Sequence, residues 1–140
     1  MQPIQSILET ILYATNLSEM ERFYHETLGL SKLGDHTDLS AGFRISDTQV
    51  LLIFNPEISA TPGRPVPSHG STGEGHIAFR IQPEDFEAWQ SHLRSKGIEI
   101  EQLQTWETRG RSIYLRDPAG NSVELIDSDI WPDNRPTRKD

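Results

Sequence analysis

One order of elements occurs twice along the 140 residues, and a doubled unit of this kind leaves few architectures open. Residues 7–14, ILETILYA, form an apolar, β-prone run. Ser18-Glu19-Met20-Glu21 then has capping-box spacing, with the Ser18 hydroxyl and the Glu21 carboxylate able to satisfy free amide donors at a helix start. Met20, Phe23, Tyr24 and Leu28 recur at helical spacing, and Gly29 can supply the left-handed residue that ends the helix. Strand-like runs follow at about 30–34, 41–46 and 49–54, with Asp47-Thr48 a tight turn between the last two.

The second copy opens at 75–81, GHIAFRI. Pro83 suits a first helical turn, Phe86, Trp89, Gln90 and Leu93 form a helix face, and Gly97 is the stop. Strand-like runs at 98–103, 111–116 and 121–127 complete it, the last two joined by the turn Asp117-Pro118-Ala119-Gly120. The copies are offset by 76 − 9 = 67 residues. The expected fold is therefore α+β, a tandem repeat of βαβββ modules. The modules span about 5–55 and 74–127 of a single domain, 1–140, followed by a polar tail at 128–140. Between them, residues 55–75 hold Pro56, Pro62, Pro65, Pro67 and four glycines, so 56–73 reads as a loop. One module alone cannot bury both faces of its sheet, so two modules or two subunits must pair.

Composition narrows the function classes. Thirteen basic against twenty-one acidic residues leave a net charge of −8, the wrong sign for a nucleic-acid footprint. Cysteine is absent, which excludes disulfides, thiolate zinc sites and cysteine nucleophiles. No long apolar run or basic-then-apolar amino terminus is present, so membrane spans and secretion are not expected. A soluble, acidic, cytoplasmic domain is the expectation.

Side chains alternate faces along a strand, so parity assigns residues to surfaces. Ile77, Phe79 and Ile81 share one face of their strand, and His76, Ala78 and Arg80 share the other. Val123 and Leu125 oppose Ser122, Glu124 and Ile126. Leu8, Leu12 and Ala14 oppose Ile7, Glu9, Ile11 and Tyr13. Each of three strands thus places one ligand-type residue, Glu9, His76 or Glu124, away from the helices. Two carboxylates and an imidazole on a concave sheet suit a divalent ion with coordination positions left for substrate. A lone strand glutamate or edge histidine is commonly structural, but an unpaired Glu124 between Val123 and Leu125 is costly to bury.

At GHIAF (75–79), YLRDPAGNSVELI (114–126) and ILETILYATNLSEMERFYHETLGL (7–30), the chain resembles the glyoxalase/bleomycin-resistance/dioxygenase superfamily, the vicinal oxygen chelate proteins. The resemblance implies two βαβββ modules forming a cup-shaped mixed sheet around a divalent metal, usually in a homodimer. It carries metal ligands onto Glu9, His76 and Glu124, in some members shared between subunits. The further glutamate of the glyoxalase I branch falls on Leu51, related to Glu124 by the internal repeat. Extradiol dioxygenases hold iron with two histidines and a carboxylate, where this chain has Glu9 in place of the first histidine. Their tyrosine ten residues before the last ligand matches Tyr114, as does a substrate-pocket tyrosine of fosfomycin-resistance thiol transferases. The threonine that those transferases place two residues after the first ligand is Ile11 here.

Two anionic ligands favour Mn²⁺, Mg²⁺ or Fe²⁺, with Zn²⁺ or Ni²⁺ as alternatives. Glu124 and Tyr114 are the expected catalytic groups, and Tyr114, Arg111 and Arg44 are expected to orient an anionic substrate. The leading reading is a metal-dependent enzyme of lyase, isomerase, thiol-transferase or dioxygenase type. The alternative is a metal-free ligand-sequestering protein like the bleomycin-resistance branch. His25, His36 and His92 read as solvated and Trp89 as helix-face core, while His69 could cover the site but reads first as part of a flexible loop. Trp106 and Trp131 fit either a pocket or an interface.

Overall fold

Parallel strands need a long crossover and antiparallel ones only a tight turn, and each module uses one crossover and then hairpins. The structure, a computed structural model of the whole chain, describes residues 1–107 and 109–132, so the tail from 133 onward lies outside the described residues. Strand β1 (Glu9–Tyr13) leads into α1 (Leu17–Arg22), which continues as a π-helical turn over Phe23–Thr27. Strands β2 (Ser31–Lys32), β3 (Ser40–Ser46) and β4 (Gln49–Phe54) follow, and α2 (Pro56–Ser59) opens the connecting segment. The second module runs β5 (His76–Arg80), a 3₁₀ turn at Pro83–Asp85, α3 (Phe86–Ser95), β6 (Gln102–Thr105), β7 (Arg111–Arg116) and β8 (Ser122–Ile126).

The strands form two four-stranded mixed sheets with the same order, β1-β4-β3-β2 and β5-β8-β7-β6. The α+β class and the doubled βαβββ order expected from the sequence are both present. Backbone bonds show how closely the sheets correspond. Val50 N–H donates to the Leu8 carbonyl and Ala14 N–H to the Phe54 carbonyl, just as Ser122 donates to Gly75 and Ile81 to Ile126. Glu9 thus corresponds to His76, and Leu52 corresponds to Glu124. The sequence alignment had put Leu51 opposite Glu124. Corresponding residues are offset by 76 − 9 = 67 at the first strands and 124 − 52 = 72 at the last, because the segments between them differ in length, so no single repeat offset locates the counterpart of Glu124. Leu51 is fully buried, while Leu52 is on the opposite face of β4.

Contacts divide the chain into two compact units, Met1–Ile77 with Arg116–Ser122, and Ala78–Leu115 with Val123 onward. In the first, α1 packs on β3 and β4, and Leu12, Ala41, Phe43, Leu51 and Ile53 are buried with Met20, Phe23, Tyr24 and Leu28. In the second, Phe86, Leu93, Ile113, Val123 and Leu125 are buried. Trp89 is only half-buried and stands edge-on to His92. Among the described residues no helix is long and apolar enough to cross a membrane.

Two local expectations change. The capping box at Ser18 and Glu21 does not form: the helix begins at Leu17, after Asn16. Glu21 instead accepts from the His36 backbone N–H at 2.7 Å and pairs with Lys32 at 3.3 Å. A tertiary acceptor role has displaced the local one. The run expected at 98–103 pairs only from Gln102, because Gly97, at φ +72°, and Ile98 complete the end of α3.

Candidate functional site

Register across the first sheet sets out the face turned away from α1. Glu9 pairs with Val50 and Val50 with Arg44, so these three form one row. Arg44 is two strands from Glu9, roughly 10 Å across the sheet. Its guanidinium makes a 3.5 Å contact to the Ser46 carbonyl. Ile11, Leu52 and Gly42 form the next row, and Tyr13, Phe54 and Ser40 the last. The face is a half-buried apolar floor with a carboxylate and a guanidinium at one end.

The connecting segment closes over the other end, roughly 13 Å along β1 from Glu9. Tyr13 Oη lies 2.7 Å from His69 Nδ1, and the His69 ring stands edge-on to Phe54 with centroids 4.7 Å apart. Ser59 donates its hydroxyl to the His69 carbonyl at 2.7 Å, and the Ser59 carbonyl accepts from His69 N–H and from Arg64. Arg64 in turn stacks on Phe54, 5.9 Å from its centroid. The flexible-loop reading of His69 therefore gives way to a pinned strap. Tyr13 was visible to parity as a neighbour of Glu9, but its partner was not.

His76 opens β5 and is exposed. Its Nδ1 is 3.1 Å from the Ser122 carbonyl, which can only accept, so Nδ1 carries the proton. With a proton on Nδ1, an imidazole in its neutral form has its lone pair on Nε2, the tautomer a metal ligand needs. The residues of the Asp117–Asn121 turn fasten this strand start. Asn121 Oδ1 accepts from Gly75 N–H at 2.7 Å, and Asp117 accepts from Asn121 and from the Tyr24 hydroxyl at 2.7 Å.

In the second unit Tyr114 and Glu124 come together. Glu124 is buried, at 6% exposure, and accepts a hydrogen bond from Tyr114. Burial first, then that bond and the Glu124 charge, push the Tyr114 phenol up to about 12, so it serves as a donor at neutral pH. Ser112 donates to the same phenol oxygen and itself accepts from Trp106 Nε1 at 2.8 Å.

Arg111 goes elsewhere. It is offset by an odd number of residues from Tyr114 and thus faces away from it. Its Nε binds Asp127 at 2.8 Å, its Nη2 the Pro83 carbonyl at 3.1 Å, and its guanidinium lies 4.1 Å from the Phe86 centroid. The structure gives it a role in holding β7 to the start of α3. His25 binds the Leu30 carbonyl at 2.7 Å, and Trp131 is exposed.

Among the described residues of one chain, no three His, Cys, Asp or Glu side chains gather into a metal-holding group. The donors nonetheless have the chemistry of one: a ligating imidazole tautomer, a carboxylate fixed by a phenol, and an exposed carboxylate. The position that would carry a fourth, glyoxalase-type carboxylate is Leu52, so the sheet equivalence leaves that ligand missing.

Two sheets of one strand order, with carboxylate and imidazole groups on strands that correspond between them, define a paired-module α+β protein. The chain belongs to the Glyoxalase/Bleomycin resistance protein/Dioxygenase superfamily, which matches residues 6–125. It is 28% identical over 125 residues to the glutathione transferase FosA of Serratia marcescens, covering 87% of this chain and 80% of that one. To the metallothiol transferase FosB of Staphylococcus epidermidis it is 29% identical over 127 residues, with coverages of 87% and 81%. The crystal structure of a lactoylglutathione lyase from Agrobacterium tumefaciens superposes with a TM-score of 0.82 at 34% identity, covering 89% of this chain and 94% of that one.

Proposed function

We propose that the protein is a divalent-metal-dependent enzyme acting on a small oxygenated substrate, with transfer or rearrangement of a thiol adduct its favoured chemistry. The names of the relatives support the thiol: a glutathione transferase, a metallothiol transferase and a lactoylglutathione lyase. Glu9, His76 and Glu124 would hold the ion, whose bound form supplies Lewis-acid polarisation of two neighbouring substrate oxygens. Two carboxylates and one imidazole favour Mn²⁺, Fe²⁺ or Mg²⁺ over softer ions. Among the described residues of one chain no such trio gathers, and the arrangement we propose is a homodimer in which Glu9 of one subunit meets His76 and Glu124 of the other. The exposed Ile4, Ile7 and Leu8 beside edge strand β1 support such pairing.

The chain's own residues have separable tasks. Tyr114 holds the Glu124 carboxylate and offers its phenol oxygen to the substrate. Arg44 places a positive charge across the floor from Glu9, suited to an anionic substituent. Val50 lies between them, and Ile11 and Leu52 continue the apolar floor in the next row. The observation that carries this reading is the buried Glu124 held by a donor phenol, since burying a carboxylate is costly without a task or a partner. Elemental analysis and Mn²⁺ titration of the wild type and of His76→Ala test it. Stoichiometric uptake that falls at least about tenfold in affinity on His76→Ala is expected. Uptake unchanged by that substitution refutes the site, and no uptake with tight binding of a small ligand favours the sequestering alternative.

A further inference from the structure

The hydrogen-bond chain that ends on Glu124 starts at a residue outside the proposed site. Trp106 lies just beyond β6, where its backbone N–H meets the Gly110 carbonyl at 2.9 Å and its indole Nε1 meets Ser112 Oγ at 2.8 Å. An indole N–H can donate but never accept. Ser112 Oγ is therefore the acceptor, and its own proton is left to point onward. Ser112 is fully buried, and Tyr114 stands two residues along on the same face of β7, where its phenol oxygen accepts from Ser112. With that lone pair engaged, the phenol sends its proton to Glu124. Every proton in the series runs one way because both ends are fixed, the indole able only to donate and the Glu124 carboxylate only to accept.

We propose that Trp106 and Ser112 are positioning residues that act through Tyr114, fixing the direction of its hydroxyl proton and thereby one oxygen of Glu124, so that the other is presented to a divalent cation. This rests on the metal-site reading above. A ring that merely filled space beside β7 would need no nitrogen at that position and would contribute nothing through Tyr114. The distinction is accessible because Phe keeps most of the indole's apolar bulk and lacks its donor. A cooperative series also transmits polarisation along its length, so a change at one end should register at the other.

The experiment has a metal-free arm and a Mn²⁺ arm. In the metal-free protein the Trp106 indole ¹⁵N–¹H cross-peak, identified by its loss in Trp106→Phe, is expected to move in Ser112→Ala and also in Tyr114→Phe. In the second arm, Trp106→Phe and Ser112→Ala each weaken Mn²⁺ binding by about tenfold, the size of effect seen for residues behind a metal ligand. Ser112→Thr, which retains the hydroxyl, restores binding to within about twofold. Adding Trp106→Phe to Tyr114→Phe produces no further loss, because residues that act through one partner are not additive. An indole peak unmoved by Ser112→Ala and Tyr114→Phe, or a double variant whose losses multiply, overturns the proposal. A wild type that takes up no Mn²⁺ while the indole still responds overturns the metal-site reading and supports the hydrogen-bond relay.

Discussion

Replacing Asp117 by alanine removes one carboxylate that four donors share. Its Oδ2 accepts from the Tyr24 hydroxyl at 2.7 Å and from Asn121 Nδ2 at 2.9 Å, and its Oδ1 from the backbone N–H of Ala119 at 2.9 Å and of Asn121 at 3.0 Å. Tyr24 is fully buried and Asn121 nearly so. Three of the four donors would thus be left in the protein interior, each at a cost of about 1–3 kcal/mol before relaxation. Allowing for partial rearrangement, Asp117→Ala should destabilise the fold by about 4 kcal/mol, a large share of the usual 5–15 kcal/mol.

Tyr24→Phe removes one donor and leaves the carboxylate three, so its cost should be about 1 kcal/mol. Asp117→Asn falls between the two. It can keep both backbone bonds, but it sets an amide donor against Asn121 Nδ2. Urea unfolding of the three variants at neutral pH, compared through midpoints at unchanged slope, measures the ranking. Equal losses in Asp117→Ala and Tyr24→Phe would mean that water satisfies the turn, and would refute the reasoning.

Acid should weaken the fold through Asp127. Burial tends to raise its carboxyl, but the Arg111 backbone N–H and guanidinium outweigh this and hold it below the ordinary value. The unfolded chain therefore takes up the proton first as pH falls. The stabilisation is complete above the unfolded value near 4 and disappears as pH drops through the lower folded value. Midpoints measured between pH 3 and 6 should show a shallower acid decline in Asp127→Asn, and an unchanged slope would remove Asp127 as a contributor. His69→Ala should free the strap by removing the Tyr13 bond and the Phe54 contact. Losing about 1.4 kcal/mol there corresponds to roughly tenfold faster subtilisin cleavage between residues 60 and 74. A strap cut no faster than in the wild type would show that Arg64 and Ser59 hold it alone.

Much of the architecture could be read from residue order. Hydrophobic parity put Leu12 and Ala14 inward and Glu9, Ile11 and Tyr13 outward, because a strand's side chains alternate without regard to distant partners. Gly29 at φ +78° and Gly120 at φ +84° end their segments where the turn chemistry indicated. The family resemblance singled out Tyr114 and Glu124 separately, but the hydrogen bond between them appeared only in the structure. By contrast, Glu21, Arg111, His69 and Trp106 took tasks that no local pattern announced. Their partners are His36, Asp127, Tyr13 and Ser112.

The amino-acid order by itself determined the doubled module, the faces of its strands and the residue types on them, since these follow from periodicities of two and 3.6 residues. Only the tertiary structure decided which guanidinium is consumed by Asp127 and which phenol is backed by an indole. A side chain's hydrogen-bond partner is chosen by proximity after folding, and the nearest donor or acceptor can lie anywhere along the chain. Glu124's counterpart is Leu52 rather than Leu51 for the same reason, because backbone pairing after folding, and not a fixed repeat offset, sets which residues correspond.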